Sequence, residues 1–341
     1  MQYTGKDRVL AAYRREYADR VPIFVGYIGP KLFEKLGFTI VEYLTDPEKA
    51  IKAAIAGHEE FPSDIMMVPA NPLLPDVQAQ LRRLRGDAPV KHRLADNKGD
   101  LAKMQIRRPE DDRLVAPHLE MCQRTSAVFK DVIVETLVGG PWSTAMDLRG
   151  TEQLIYDTMD DPQFVHELMA YCTELSKVRA VAIAKLGIWV TIGEPSGGCS
   201  LISPKMFREF VKPYHPQLVG SVKKECDIPM TLHMCGYTDP IMEDLVSLGY
   251  DRIEIDSPSS LKKMVEVSQK RVVIRGNLAA NLFSEGTKEE IDQAVKECIA
   301  IGAPGSAYIL SQGCSIPAGA PPENVKYVIE AAQKYGRYEN Q

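Results

Sequence analysis

Short apolar runs alternate with longer amphipathic stretches along almost the whole chain. Eight runs read as strands: Arg20–Gly26, Asp64–Ala70, Asp131–Gly140, Ile188–Gly193, 229–235, Arg252–Asp256, Val272–Asn277 and Ser306–Ser311. Stretches at 5–17, 31–60, 116–129, 143–158, 161–186, 204–225, 239–248, 259–269, 287–301 and 322–335 read as helices. The 31–60 stretch breaks near Gly37. Asp46-Pro47 predicts a fresh start there, with Asp46 as N-cap and Pro47 in the first turn. The alternation predicts parallel strands joined by crossover helices, and eight such units predict a closed (β/α)8 barrel of the TIM type, an α/β fold. An open doubly wound sheet has the same local pattern. The barrel is favoured because residues with chemistry follow nearly every strand: Tyr27, Asn71, Gly139-Gly140, Glu194, His233 with Cys235, Asp256, Asn277 and Gln312 with Cys314. A barrel gathers these at one mouth, whereas an open sheet spreads them in a row.

Residues 71–115 break the pattern. Pro72, Pro75, Pro89 and Pro109 lie among Arg, Asp and Lys, with too few large apolar residues for a core of their own. The stretch is expected as an insertion after the second strand, a short hairpin or lid, within one barrel domain spanning 1–341. A chain of 341 residues suits a single α/β barrel. The net charge of −5 comes without a long Lys/Arg run, so nucleic acid is not an expected partner. No stretch approaches the roughly 18–20 apolar residues of a membrane span, and the polar N-terminal residues lack signal-peptide character. Seven scattered cysteines, an odd number, do not read as a disulfide framework, which fits a reducing cytoplasm.

The chemistry concentrates in Thr231-Leu232-His233-Met234-Cys235-Gly236 and in Gln312-Gly313-Cys314. On a strand, His233 and Cys235 point to one face, and Leu232 and Met234 to the other. Cys314 adds a third soft donor from another strand end. Three ligands of N, S, S type suit zinc with a fourth position open, as in a catalytic site. A lone strand Cys or His is more often packed in a core; three together at two glycine-flanked strand ends favour the metal. No Cys-x-x-Cys pair is present, which argues against a structural zinc.

Glu194 and Asp256 admit two readings. Each is placed to cap the helix that follows its strand, or to serve as a fourth metal ligand or substrate contact. Tyr27 and Asn277 are further candidates for substrate binding at the mouth. Cys199, in the Glu194 loop, is a weaker ligand candidate. Cys122, Cys172, Cys226 and Cys298 read as core or surface thiols, and His215 as a helix-face residue. Gly139-Gly140 and Gly197-Gly198 lack the following Lys-Ser/Thr of a phosphate loop.

Leu232-His233-Met234-Cys235-Gly236 and Gly313-Cys314-Ser315-Ile316-Pro317, followed by Pro321-Pro322-Glu323-Asn324-Val325, resemble segments of the uroporphyrinogen decarboxylase superfamily. Ser203-Pro204-Lys205-Met206-Phe207 resembles a further family segment, and the likeness spans most of 5–335. Within the superfamily, His-x-Cys-x(n)-Cys is similar to the zinc signature of methylcorrinoid:coenzyme M methyltransferases. The resemblance implies a (β/α)8 barrel and a zinc cofactor on His233, Cys235 and Cys314. It implies a methyltransferase that works with a corrinoid (cobalamin) carried by a separate protein, on a thiol or a methoxy compound. Bacterial members that demethylate methoxyaromatics are one branch, in which carboxylates also ligate zinc. The metal-independent decarboxylase is the other, but Val21–Pro30 lacks the Arg that the decarboxylase carries after its first strand. A barrel with a structural zinc, acting as a binding partner, is the non-enzymatic alternative.

Overall fold

The computed structural model describes residues 3–27, 29–69, 95–112 and 115–338. Most of the expected insertion, Asn71 included, lies outside the described residues. Its described part carries a helical turn, Lys98–Leu101, and a 3-10 turn, Pro109–Asp111.

Eight strands form one parallel sheet: β1 (Ile23–Phe24), β2 (Ile65–Val68), β3 (Ile133–Gly139), β4 (Trp189–Gly193), β5 (Met230–Met234), β6 (Arg252–Ile255), β7 (Val273–Leu278) and β8 (Tyr308–Gln312). Their order is β1-β8-β7-β6-β5-β4-β3-β2. The first and last strands of that order meet and close the wall. The Asp64 N–H donates to the Ile23 carbonyl at 2.9 Å, and the Asp64 carboxylate accepts from the Ile23 N–H at 2.8 Å. The Ser63 hydroxyl accepts from the Val25 N–H and donates to the Ile23 carbonyl, both at 3.2 Å. Arg8 and Arg20 hold Asp64 at 3.1 and 2.7 Å. Side chains therefore take over ladder bonds at this seam, which is why β1 has two residues where the apolar run predicted seven. The result is a (β/α)8 barrel, as the alternation predicted.

Helix boundaries follow their caps. Asp46 accepts from the N–H groups of Glu48 and Lys49, and Pro47 opens the helix Pro47–Glu60, as expected. Gly37, at φ 73°, ends the helix Pro30–Leu36. The expected helix 204–225 is broken. It runs as Pro204–Met206, a π turn at Phe207–Val211, a 3-10 turn at Lys212–Tyr214 and the helix His215–Glu225. Pro213 and Pro216 lack the N–H groups that a continuous helix needs there. A break at Gly150 likewise divides Pro141–Arg149 from Thr151–Asp160.

The barrel interior is layered. At the N-terminal end Phe24, Ile65, Ile133, Trp189, Val273 and Ile309 form an apolar floor, on which Val9 of the helix Gly5–Arg14 packs. Tyr13 meets Trp189 edge-to-face at 4.9 Å. Above the floor lies a layer of buried charge. Arg252 and Arg275 both bond Glu135, and Arg275 also bonds Glu254. The Arg275 guanidinium rests on the Phe24 ring at 4.5 Å, a cation–π contact. Parallel strands put all their C-terminal ends at the opposite mouth, above this layer. Among the described residues no helix is long and apolar enough to cross a membrane.

Candidate metal centre

The structure brings His233, Cys235 and Cys314 together at the mouth, with one donor atom from each lying within 4.8 Å of the others. His233 Nε2 lies 3.1 Å from Cys235 Sγ, and the two sulfurs are 3.3 Å apart. That is too far for a disulfide bond, and both thiols are free. Tetrahedral zinc with bonds near 2.0–2.3 Å sets its donors about 3.5 Å apart, so this N, S, S set fits the metal. The three are the only such group among the described residues.

Local backbone explains the placement. Cys235 leaves β5 into Gly236, whose φ of 74° favours glycine, and a Cβ there would sit 2.5 Å from Ser200 Oγ. Ser200 Oγ accepts from the Tyr237 N–H at 2.8 Å, and the Cys199 N–H donates to the Tyr237 carbonyl at 2.7 Å. Cys314 leaves β8 through Gly313, where a Cβ would meet Asp256 Oδ1 at 2.8 Å. Asp256 accepts from the Gly236 N–H at 2.9 Å and from the Ser257 N–H at 2.7 Å. It bonds the Cys235 loop and lies close against the Cys314 loop at Gly313.

The electrostatics of the three donors differ. The hydrogen bonds of Cys235 and His233 to Cys314 pull its thiol down to about 5, which favours its thiolate form. The same shared proton pushes Cys235 up, and burial adds to it. Burial opposes charge on His233, but the Glu254 carboxylate and Cys314 outweigh it and raise the imidazole to about 9. Glu254 Oε2 stands 3.3 Å from His233 Nδ1, an ion-pair distance whose direction falls short of a hydrogen bond. Burial alone would raise the Glu254 carboxyl; Arg275 and His233 together bring it to about 2.

Two carboxylates proposed from sequence as a fourth ligand lie outside the three-donor group. Glu194 is fully buried, and its carboxylate accepts from the N–H groups of Trp142 and Ser143 at 2.9 and 2.8 Å. It caps the helix Pro141–Arg149, which follows β3 rather than its own strand, and that helix end satisfies both its oxygens. Asp256 is engaged by the Gly236 N–H of the Cys235 loop and by the N–H of its own neighbour Ser257. Cys199 contributes its backbone and is not one of the three donors. Tyr27 packs edge-to-face on Phe61 and donates its hydroxyl to the Ala320 carbonyl at 2.7 Å, so its polar tip is engaged. The Asn277 amide donates to the Ser259 carbonyl at 2.8 Å and holds the loop after β6. His215, read as a helix-face residue, is fully buried. Its Nδ1 bonds the Tyr250 hydroxyl at 2.8 Å, and its Nε2 lies 3.5 Å from Glu194.

Sequence reasoning missed Glu254, Arg275, Glu135 and Arg252. A signal for them existed. Arg252, Glu254 and Asp256 alternate on one strand face, and charge on a face that should be apolar marks a polar barrel interior.

The uroporphyrinogen decarboxylase (URO-D) family model matches residues 4–335. The chain belongs to the uroporphyrinogen decarboxylase family. The methylcobamide:CoM methyltransferase MtbA of Methanosarcina acetivorans is 25% identical over 349 residues, covering 98% of this chain and 99% of that protein. The uroporphyrinogen decarboxylase of Alkalilimnicola ehrlichii is 24% identical over 370 residues, covering 100% of this chain and 97% of that protein. A solved methyltransferase from Methanosarcina mazei shares the fold. Its TM-score is 0.84 at 24% identity, over 98% of this chain and 99% of that one.

Proposed function

We propose that this member of the family is a zinc-dependent methyltransferase. It moves a methyl group between a small thiol or methoxy compound and the cobalt of a separate corrinoid protein. The observation that carries this reading is the partly buried N, S, S donor set at the barrel mouth. The methylcobamide:CoM methyltransferases among its relatives support it. His233, Cys235 and Cys314 would hold the zinc, whose Lewis acidity would activate a thiol or an ether group when bound. Two thiolates and a neutral imidazole give the centre no formal net charge, which leaves a bound thiolate nucleophilic and favours the thiol substrate. Asp256 would hold the Cys235 loop in place while the fourth position takes substrate. The apolar floor and the ion layer beneath would block solvent entry from the opposite end. The protein would lie in the cytoplasm, where the thiols stay reduced.

The test is zinc content by mass spectrometry, with cobalamin spectra recorded as substrates are added. Zinc near one per chain, with methylcobalamin demethylated by a thiol, is the expected result. Methylation of cobalt(I) by methoxyaromatics would move the protein to the demethylase branch. Zinc-free protein from metal-replete expression would sink the reading and favour a metal-independent decarboxylase-type lyase. Zinc with four protein ligands and no transfer to or from cobalamin would leave a structural zinc site.

A further inference from the structure

Building on the zinc reading above, we propose that Glu254 is the positioning residue of the metal centre and Arg275 its clamp, both acting through His233. An imidazole binds a metal through one nitrogen only when the proton sits on the other. Here the two nitrogens face different groups. Nε2 points at Cys235 Sγ, 3.1 Å away, inside the donor set. Nδ1 is buried and faces Glu254 Oε2 at 3.3 Å, with no hydrogen-bond partner of its own. A proton on Nδ1 meets a carboxylate and leaves the Nε2 lone pair for the metal. The opposite tautomer would set a lone pair against that carboxylate and turn an N–H toward the donor set.

Glu254 needs restraint to play this part, because a free carboxylate beside a zinc site would compete as a ligand. Arg275 supplies the restraint by bonding the same oxygen, Oε2, that faces Nδ1. Arg275 is itself fixed by Glu135 on β3 and by the Phe24 ring below it. The strand register delivers the chain of contacts: His233 pairs with Glu254, and Glu254 with Arg275, across β5, β6 and β7. Adjacent strands therefore carry imidazole, carboxylate and guanidinium side by side on the inner face. Outer-shell partners of this kind typically change metal affinity 10- to 100-fold.

The test compares zinc-loaded wild type with Glu254→Gln. Zinc affinity is read by competition with a chromophoric chelator, and ligand geometry by the visible spectrum of the cobalt(II)-substituted protein. Zinc binding weaker by about 10- to 100-fold and a shifted cobalt spectrum are expected, with Glu254→Asp recovering part of both. Arg275→Lys should give an intermediate loss. A lower melting temperature with wild-type zinc affinity and an unchanged cobalt spectrum would reduce Glu254 to a fold element and overturn the proposal. Should Glu254→Gln not fold, nitrogen-15 histidine spectra of the zinc-loaded wild type decide. Zinc on Nε2 with a protonated Nδ1 supports the assignment, and zinc on Nδ1 overturns it. A wild type that binds no zinc overturns the function reading as well, whereas tight zinc binding with an indifferent Glu254→Gln overturns only this one.

Discussion

From β5 to β8 the barrel wall is a continuous hydrogen-bonded ladder, whereas β1 and β2 are bridged largely by the side chains of Ser63 and Asp64. The first region carries all three residues of the candidate metal centre, on the ends of β5 and β8. The second carries none, and its closing residue Asp64 is buried under two arginines. Donor atoms must hold their relative positions to a fraction of an ångström, and strand register does that without relying on flexible side chains. The seam has only to exclude water and keep the wall closed, and a charged side-chain clip does that. Geometry at the seam bears on stability, and geometry at the ladder bears on chemistry.

This contrast is open to attack from both sides. Asp64→Ala strips Arg8 and Arg20 of a buried partner and the Ile23 N–H of its acceptor. It is expected to cost about 3–5 kcal/mol in chemical denaturation while zinc per folded molecule stays at the wild-type value. Loss of zinc from the folded fraction would show that the two regions are not separable. Cys314→Ser is the converse. Zinc affinity should fall by more than the roughly 100-fold that bounds the loss of an outer partner, with the metal-free protein as stable as before. Equal zinc content in the variant would remove Cys314 from the donor set.

Glu194→Gln tests the boundary between the regions, because Glu194 follows β4 yet serves a helix. The new amide would turn an N–H toward a backbone N–H at the helix start, a loss of about 1–3 kcal/mol with unchanged zinc stoichiometry. Zinc loss there would restore Glu194 as a ligand. The smallest effect concerns acid. Glu135 and Glu254 are held below the ordinary 4.5 in the folded protein, Glu254 at about 2, because guanidiniums outweigh their burial. A depressed folded pKa adds stability above about pH 4.5 and loses it as pH falls toward 2. The melting temperature should therefore drop between pH 4.5 and 3. A flat profile there would mean that the ion layer is already broken.

How much of this was legible in the sequence varies by residue. The eight apolar runs and the intervening amphipathic stretches predicted the alternating strands and helices, because their periods are local properties of a chain, and the residues after each strand favoured the closed barrel over an open sheet. His-x-Cys on one strand predicted two donors on one face for the same reason. Glu194 shows the limit. Its place after a strand was visible, but the helix it caps begins 53 residues earlier, at Pro141, and only packing brings that helix end to it. Tyr27 and Asn277 stand at strand ends as expected, yet their polar atoms are taken by Ala320 and Ser259. No periodicity encodes such partners.

The sequence by itself determined the order of elements, their parallel α/β character, and the identity of three candidate donor side chains at two strand ends. These follow from backbone period and side-chain chemistry, which neighbours in the chain decide. The tertiary structure alone decided that Cys314 reaches Cys235, that Asp256 holds the Cys235 loop, and that Glu254 rather than Glu194 faces the imidazole. Each depends on the register of strands far apart in sequence, and a register shift of one residue sends every side chain to the opposite face.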